Sequence, residues 1–253
     1  MGCLYVLMAL VALILNLGNL GAMFGMIFSN AFDFKAIFGG FMGSCLMYGF
    51  KRGLYSNEAG IGSAPNAAAA ADVSHPAKQG LVQMLSVFID TLLLCTATAF
   101  MCMCSGVTPA ADLAGAPYVQ AALSATFGSI GPVFIAVAML LFAFTTLLGN
   151  FYYIENCFAY ILKKKPSKVF MNTVRVVGAV LIFLGAVVSF GFAWDMADIC
   201  QCMLAFINIP SCVLLGGVAY RALDDYTAQK KEGKNPTYKA AANGVKEKTD
   251  FWT

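Results

Sequence analysis

Residues 51 to 75 read KRGLYSNEAGIGSAPNAAAAADVSH, a polar, glycine-rich run set between segments apolar enough for a membrane. In hydrocarbon each unpaired backbone N–H or C=O costs several kcal/mol, so non-helical chain at membrane depth survives only inside protein or beside a water-filled cavity. A break of this kind divides a helix into halves. The first half turns its terminal carbonyls toward a cation, and the second offers free N–H groups and a positive dipole end to an anion. Gly53, Gly60 and Gly62 permit turns and close backbone approach, while Ser56, Asn57, Glu58 and Ser63 bring oxygen ligands. From Pro65 onward, Ala67 to Ala71 read as a resumed helix of small residues. The plainer reading is a surface loop beginning at Lys51 and Arg52, because the stretch lacks an uninterrupted apolar run of ~20 residues.

The flanks decide the solvent. Of 253 residues, 60% are hydrophobic and 11% charged, with a mean hydropathy of +0.75. Soluble domains carry about 25% charged residues, so the chain is an all-α polytopic membrane protein. Its net charge of +3 comes from loop and tail lysines, which excludes a nucleic-acid module. Nine cysteines include Cys102-Met-Cys104 and Cys200-Gln-Cys202, but C-x-C is not zinc spacing and His75 is the single histidine. They read as apolar fillers, and no bound metal or cofactor is expected. No basic residue precedes the first apolar run, so a cleaved signal peptide is not expected.

Six spans are expected, at about 4–28, 36–50, 78–104, 131–162, 170–192 and 199–220, in a transmembrane domain covering 1–225. Asp33 and Lys35 close the first span, and Gly39, Gly40 and Gly43 suit the second to helix contact. A connection through Thr108, Asp112 and Tyr118 follows the third, and Trp194, Asp195 and Asp198 follow the fifth. The polar tail, 226–253, is expected to be disordered beyond Tyr238. Lys51, Arg52 and Lys78, then Lys163, Lys164, Lys165 and Lys168, then the tail lysines fall on alternate connections. The positive-inside rule therefore sets the C-terminus in the cytoplasm of a cell expected to carry the chain in its plasma (inner) membrane.

Polar side chains inside the spans are the remaining candidates. Asp90 lies near mid-membrane, where a carboxylate is functional or else paired with a neighbouring helix. Thr145, Thr146, Gly149 and Asn150 fall within two turns, and Thr146 and Asn150 share a face at i, i+4. These oxygens suit a hard cation or a polar substrate; the plainer alternative is hydrogen bonding between helices. No nucleophile with a base partner stands out, so an enzyme is not expected.

The blocks GFKRGLYSNEAGIGSAPN, HPAKQGLVQMLSVFIDTLL, FAFTTLLGNFYY and WDMADI resemble the alanine/glycine:cation symporter family. The resemblance implies a leucine-transporter-type inverted-repeat fold, of which this chain supplies about helices five to ten. It also implies that helices one to four are missing, as in a truncated or split gene. Members import alanine or glycine with sodium or protons. By that resemblance Thr145 and Thr146 are the cation ligands, and Gly53, Ser56, Asn57, Gly60, Thr146, Gly149 and Asn150 lie near the amino acid. Asn150 stands where some relatives carry a bulky aromatic, which leaves the substrate open. The implied partners are a small amino acid, a monovalent cation, the bilayer and a missing N-terminal half. The alternative is a structural membrane fragment with no transport of its own.

Overall fold

The computed structural model describes residues 2–31, 41–108, 110, 113, 115–245 and 252. Every regular element among them is helical: α1 (Gly2–Leu15), α2 (Leu20–Ala31), α3 (Phe41–Ser56), α4 (Ala64–Ala68), α5 (Pro76–Cys104), α6 (Ala116–Phe127), α7 (Ile130–Leu162), α8 (Lys168–Val187) and α9 (Phe190–Lys231). Short 3-10 turns add Leu17–Asn19 and Ala241–Asn243. The expectations for Asp33, Lys35, Gly39, Gly40 and Asp112 lie outside the described residues.

Among the described residues four helices, α5, α7, α8 and α9, are long and apolar enough to cross a membrane, and the pair Gly2–Leu15 and Leu17–Ser29, bent by 73°, brings the number to five when counted as one span. Only 6% of the most apolar window of α8 and of α9 is buried, so those faces belong against lipid or further protein.

The chain divides into two compact units, residues 1–56 with 88–150 and residues 57–87 with 151–253. In the first unit, Ala9, Ala12, Met101, Leu123 and Ile135 are buried together, with Tyr5, Val119 and Phe134 packed around them. Close approach depends on Gly131, because a Cβ there would collide with the backbone of Leu123. Without a hydrophobic force between helices in lipid, small residues and polar links hold such a unit. Tyr5 OH pairs with Thr98 Oγ1 at 2.9 Å, and Asn16 Nδ2 donates to Thr126 Oγ1 at 3.1 Å.

Those links correct the first span, which is broken rather than continuous. Asn16 Nδ2 donates to the Ala12 carbonyl at 2.8 Å and Asn19 Nδ2 to the Cys104 carbonyl at 2.9 Å, supplying partners where the helix turns. Tyr118 lies in α6, a short helix within the connection that follows the third span. The second span differs at its end, since α3 carries Lys51, Arg52 and Gly53 as helix as far as Ser56.

In the second unit Phe151 packs on Gly178, where a Cβ would strike its ring, and Phe158 meets Phe170 edge-on at 4.9 Å. The fifth span ends earlier than expected, at Val187. Ser189 is extended and its hydroxyl accepts from Phe192 N at 3.4 Å, so α9 starts there and takes in Trp194, Asp195 and Asp198.

Of the tail expected to be disordered beyond Tyr238, residues 239–245 and 252 are described, and they fold back on the protein. Tyr238 and Ala240 are buried, and Tyr238 N donates to the Ser74 carbonyl at 2.9 Å. Trp252 Nε1 donates to the Val73 carbonyl at 3.4 Å, and Lys78 Nζ to Asn235 Oδ1 at 2.6 Å. His75 lies beneath this strap, fully buried. Its Nδ1 accepts from Ala77 N at 3.1 Å, and its Nε2 faces Asp225 Oδ2 at 3.3 Å. An accepting Nδ1 leaves the proton on Nε2, so the ring donates to Asp225. Burial pushes the Asp225 carboxyl up, but hydrogen bonds from Gln229, His75 and Asn243 outweigh it and hold the group below its ordinary value.

Candidate functional site

The chain leaves helix at residues 57–63 and, after the five-residue α4, again at 69–75, so the resumed helix expected over Ala67 to Ala71 stops at Ala68. Glu58 takes a left-handed φ of 59° and Gly62 one of 81°. Asn57 Oδ1 accepts from Ala59 N at 3.1 Å, an Asx turn that competes with helix continuation. Ser63 then precedes α4, which has Pro65 in its first turn, where a missing N–H costs nothing. The turn thus arises from Asn57 and Gly62, whereas Gly53 is helical and a Cβ there would meet open space.

Two side chains of the second unit, Tyr153 and Asn208, close on the segment 57–63. Glu58 Oε2 accepts from Ser63 Oγ at 2.6 Å and from Tyr153 OH, on α7, at 3.3 Å. The Ser63 bond lies at the short end of the range for a hydroxyl donor. Asn66 Nδ2 donates to the Tyr153 carbonyl at 3.4 Å. Asn208, on α9, donates from Nδ2 to the carbonyls of Ala59 and Gly60 at 3.1 and 3.0 Å. Gly60 is buried. A cavity of about 480 Å³ flanks the segment, lined by Ala59, Ala64, Pro65, Gln83, Met84 and Trp252 among others.

The other candidates lie in the first unit. Ser56 Oγ donates to Asp90 Oδ2 at 2.9 Å, giving that carboxylate a partner. Asp90 falls in a π-helical stretch, Ile89–Cys95, inside α5; single π turns of this kind are frequent at functional sites. Thr145 Oγ1 lies 3.1 and 3.0 Å from the carbonyls of Leu141 and Phe142, so its hydrogen is directed back at its own helix. Its lone pairs remain able to face a cation. Thr146 and Asn150 are exposed on one face of α7, and Gly149 between them leaves open space.

Tyr153 and Asn208 were not among the sequence candidates. Tyr153 reads in sequence as part of an interfacial aromatic belt, and nothing in one dimension pairs it with Glu58. Asn208 did carry a signal: it is an amide within the apolar run of the last span, the same cue that singles out Asp90.

Comparison with known proteins gives consistent matches over nearly the whole chain. The amino-acid carrier protein AlsT of Bacillus subtilis (strain 168) is 44% identical over 240 residues, covering 95% of this chain and 50% of that protein. The sodium/proton-dependent alanine carrier protein of Bacillus sp. (strain PS3) is 39% identical over 270 residues, covering 99% and 59%. The sodium/alanine symporter AgcS of Methanococcus maripaludis is 37% identical over 239 residues, covering 93% and 52%. The chain therefore spans about half the length of the curated relatives it matches. A family model described as the sodium:alanine symporter family matches residues 1–240, and with the apolar helices and the interrupted segment between them this makes the chain a multi-pass membrane protein that belongs to the sodium:alanine symporter family.

Proposed function

We propose that this chain forms the C-terminal part of a cation-coupled importer of alanine or glycine that works by alternating access, with sodium as the coupling ion. The observation that carries the reading is the segment 57–63, a non-helical stretch in a chain of membrane-grade helices, where Asn208 holds the carbonyls of Ala59 and Gly60 and the Glu58 carboxyl accepts from Ser63 and Tyr153. Interruptions of this kind give ion and substrate sites in transporters, because half-helix ends supply both signs of partial charge. The printed names of the relatives, a sodium/alanine symporter and a sodium/proton-dependent alanine carrier, support the cargo and the ion.

In this reading Gly53, Ser56, Asn57 and Gly60 lie near the amino acid together with Thr146, Gly149 and Asn150. Thr145 and Thr146 are the cation ligands. Glu58 and Asp90 are the further polar groups at membrane depth in this reading. The fold is of the leucine-transporter type, completed by an N-terminal half, with the C-terminus in the cytoplasm beneath the plasma membrane. A ligand shifts such an equilibrium only by its differential affinity for the two states, so cation and amino acid together favour closure.

Uptake of labelled alanine and glycine into proteoliposomes tests this, using the 253-residue chain and the chain joined to the N-terminal half of a relative. An imposed inward sodium gradient is expected to drive uptake by the completed protein. Thr146→Val, which removes an oxygen while preserving shape, is expected to abolish the sodium dependence. Uptake that ignores both the gradient and the substitution overturns the assignment.

A further inference from the structure

Asn208 sits in the apolar stretch of α9, two residues before Pro210. An amide at that depth must be satisfied by protein. Its Nδ2 reaches the carbonyls of two successive residues of the break, Ala59 at 3.1 Å and Gly60 at 3.0 Å, and Cys212 Sγ lies 3.7 Å from its Oδ1. Backbone carbonyls only accept, so chemistry decides which end of the amide faces them. On its other side the break wraps the same group: a Cβ added to Gly62 would collide with Oδ1 and Cγ of Asn208. The left-handed φ of 81° at Gly62 brings the backbone around the amide, and the adjacent turn at Glu58 is held separately by Ser63 and Tyr153.

An amide hydrogen-bonded to two consecutive carbonyls fixes the direction in which both oxygens point. It also occupies them, because those lone pairs are unavailable to another donor or cation in the same directions while the bonds persist. We propose that Asn208 is a positioning residue of the transport site: its side-chain amide holds the Ala59 and Gly60 carbonyls and so ties the geometry of the break to the last span. The inference rests on the transport reading above. It assigns Asn208 no direct contact with amino acid or cation.

Two substitutions separate holding from mere packing. Asn208→Asp keeps the shape but, when ionised, turns a second acceptor toward two acceptors. When protonated it regains one O–H donor, and burial against carbonyls favours that neutral form. Asn208→Ala has no donor at any pH. In the completed protein in proteoliposomes, the KM for alanine of Asn208→Asp, relative to wild type at each pH, is expected to fall at least threefold as pH is lowered from 8 to 5.5. That of Asn208→Ala is expected to stay level. A substitution that only reduced the amount of folded protein would lower kcat per total protein and leave KM unmoved.

Hydrogen exchange of the 57–63 amides, followed by mass spectrometry on the chain in nanodiscs, supplies a readout that needs no transport. It is expected to rise at least threefold in both variants at pH 8. Unchanged exchange in both variants overturns the inference, as does a KM ratio for Asn208→Asp that is flat with pH. If the wild type shows no sodium-driven uptake, the transport reading fails with the role built on it, while the exchange result still decides whether Asn208 holds the break.

Discussion

Replacing His75 by alanine is expected to release the C-terminal strap. The side chain is fully buried and makes four separable interactions: a hydrogen bond to the Asp225 carboxylate, a cap on Ala77 N, and edge-to-face contacts with Tyr226 and Tyr238 at 5.2 and 5.0 Å between ring centres. Hydrogen bonds to charged groups contribute about 1.5–3 kcal/mol, caps about 0.5–2, and aromatic pairs about 0.5–1.5 each. Neighbouring terms do not add, so the lower end of each range is the appropriate choice. That choice gives a loss of about 3 kcal/mol, taken from the ranges just cited. The Tyr238 amide reports it directly, because it donates to the Ser74 carbonyl at 2.9 Å only when the strap is docked. If exchange follows local opening, that loss speeds it by about 150-fold, at roughly tenfold per 1.4 kcal/mol, or up to the rate of an undocked tail if that is reached first. The measurement is hydrogen exchange of peptides covering 236–245. A change below threefold would refute the account of His75 as the centre of the docked strap.

Acid should act on the same strap through Asp225. Its native carboxyl lies below the ordinary value, so its contribution is complete above the undocked value of about 3.9 and is lost as pH falls through the depressed native one. The difference between wild type and Asp225→Asn in protease protection of the tail should therefore persist to about pH 4 and vanish below it; a difference already gone at pH 5 contradicts this. Gly62→Ala places a Cβ at a left-handed φ and against Asn208, costing about 1–2 kcal/mol for the backbone alone. In the completed protein of the proposed function sodium-driven uptake should fall sharply, and Gly62→Asn should be milder with respect to the backbone; equal activity of Gly62→Ala and the unsubstituted protein contradicts the assigned turn.

Much of the outline is legible in the amino-acid order, because hydrocarbon imposes a length and a polarity that composition reveals. The apolar runs at α5, α7, α8 and α9 are visible in this way, as is the interruption near residue 60. Helix ends are less visible. Lys51 and Arg52 look like the start of a loop, yet α3 continues to Ser56, since long basic side chains can remain on a helix while their charges reach water. Ser189 looks like one more small residue in an apolar run, and its hydroxyl instead begins α9.

The candidate site divides along the same line. Glu58, Ser63 and Asp90 stand out in sequence because polar groups at membrane depth are costly wherever they occur. Their partners do not stand out. Ser56 meets Asp90 across 34 positions, Tyr153 meets Glu58 across 95, and Asn208 meets Gly60 across 148. The sequence by itself determined that this chain lives in a membrane and which polar side chains near residue 60 need partners, since both follow from the transfer cost of local groups, while it left that stretch open between an interrupted helix and a surface loop. Only the tertiary structure decided which partner each one takes and that the tail folds back over His75. Those outcomes depend on which distant segments approach within about 3 Å of one another, a property of three-dimensional packing that no local pattern encodes.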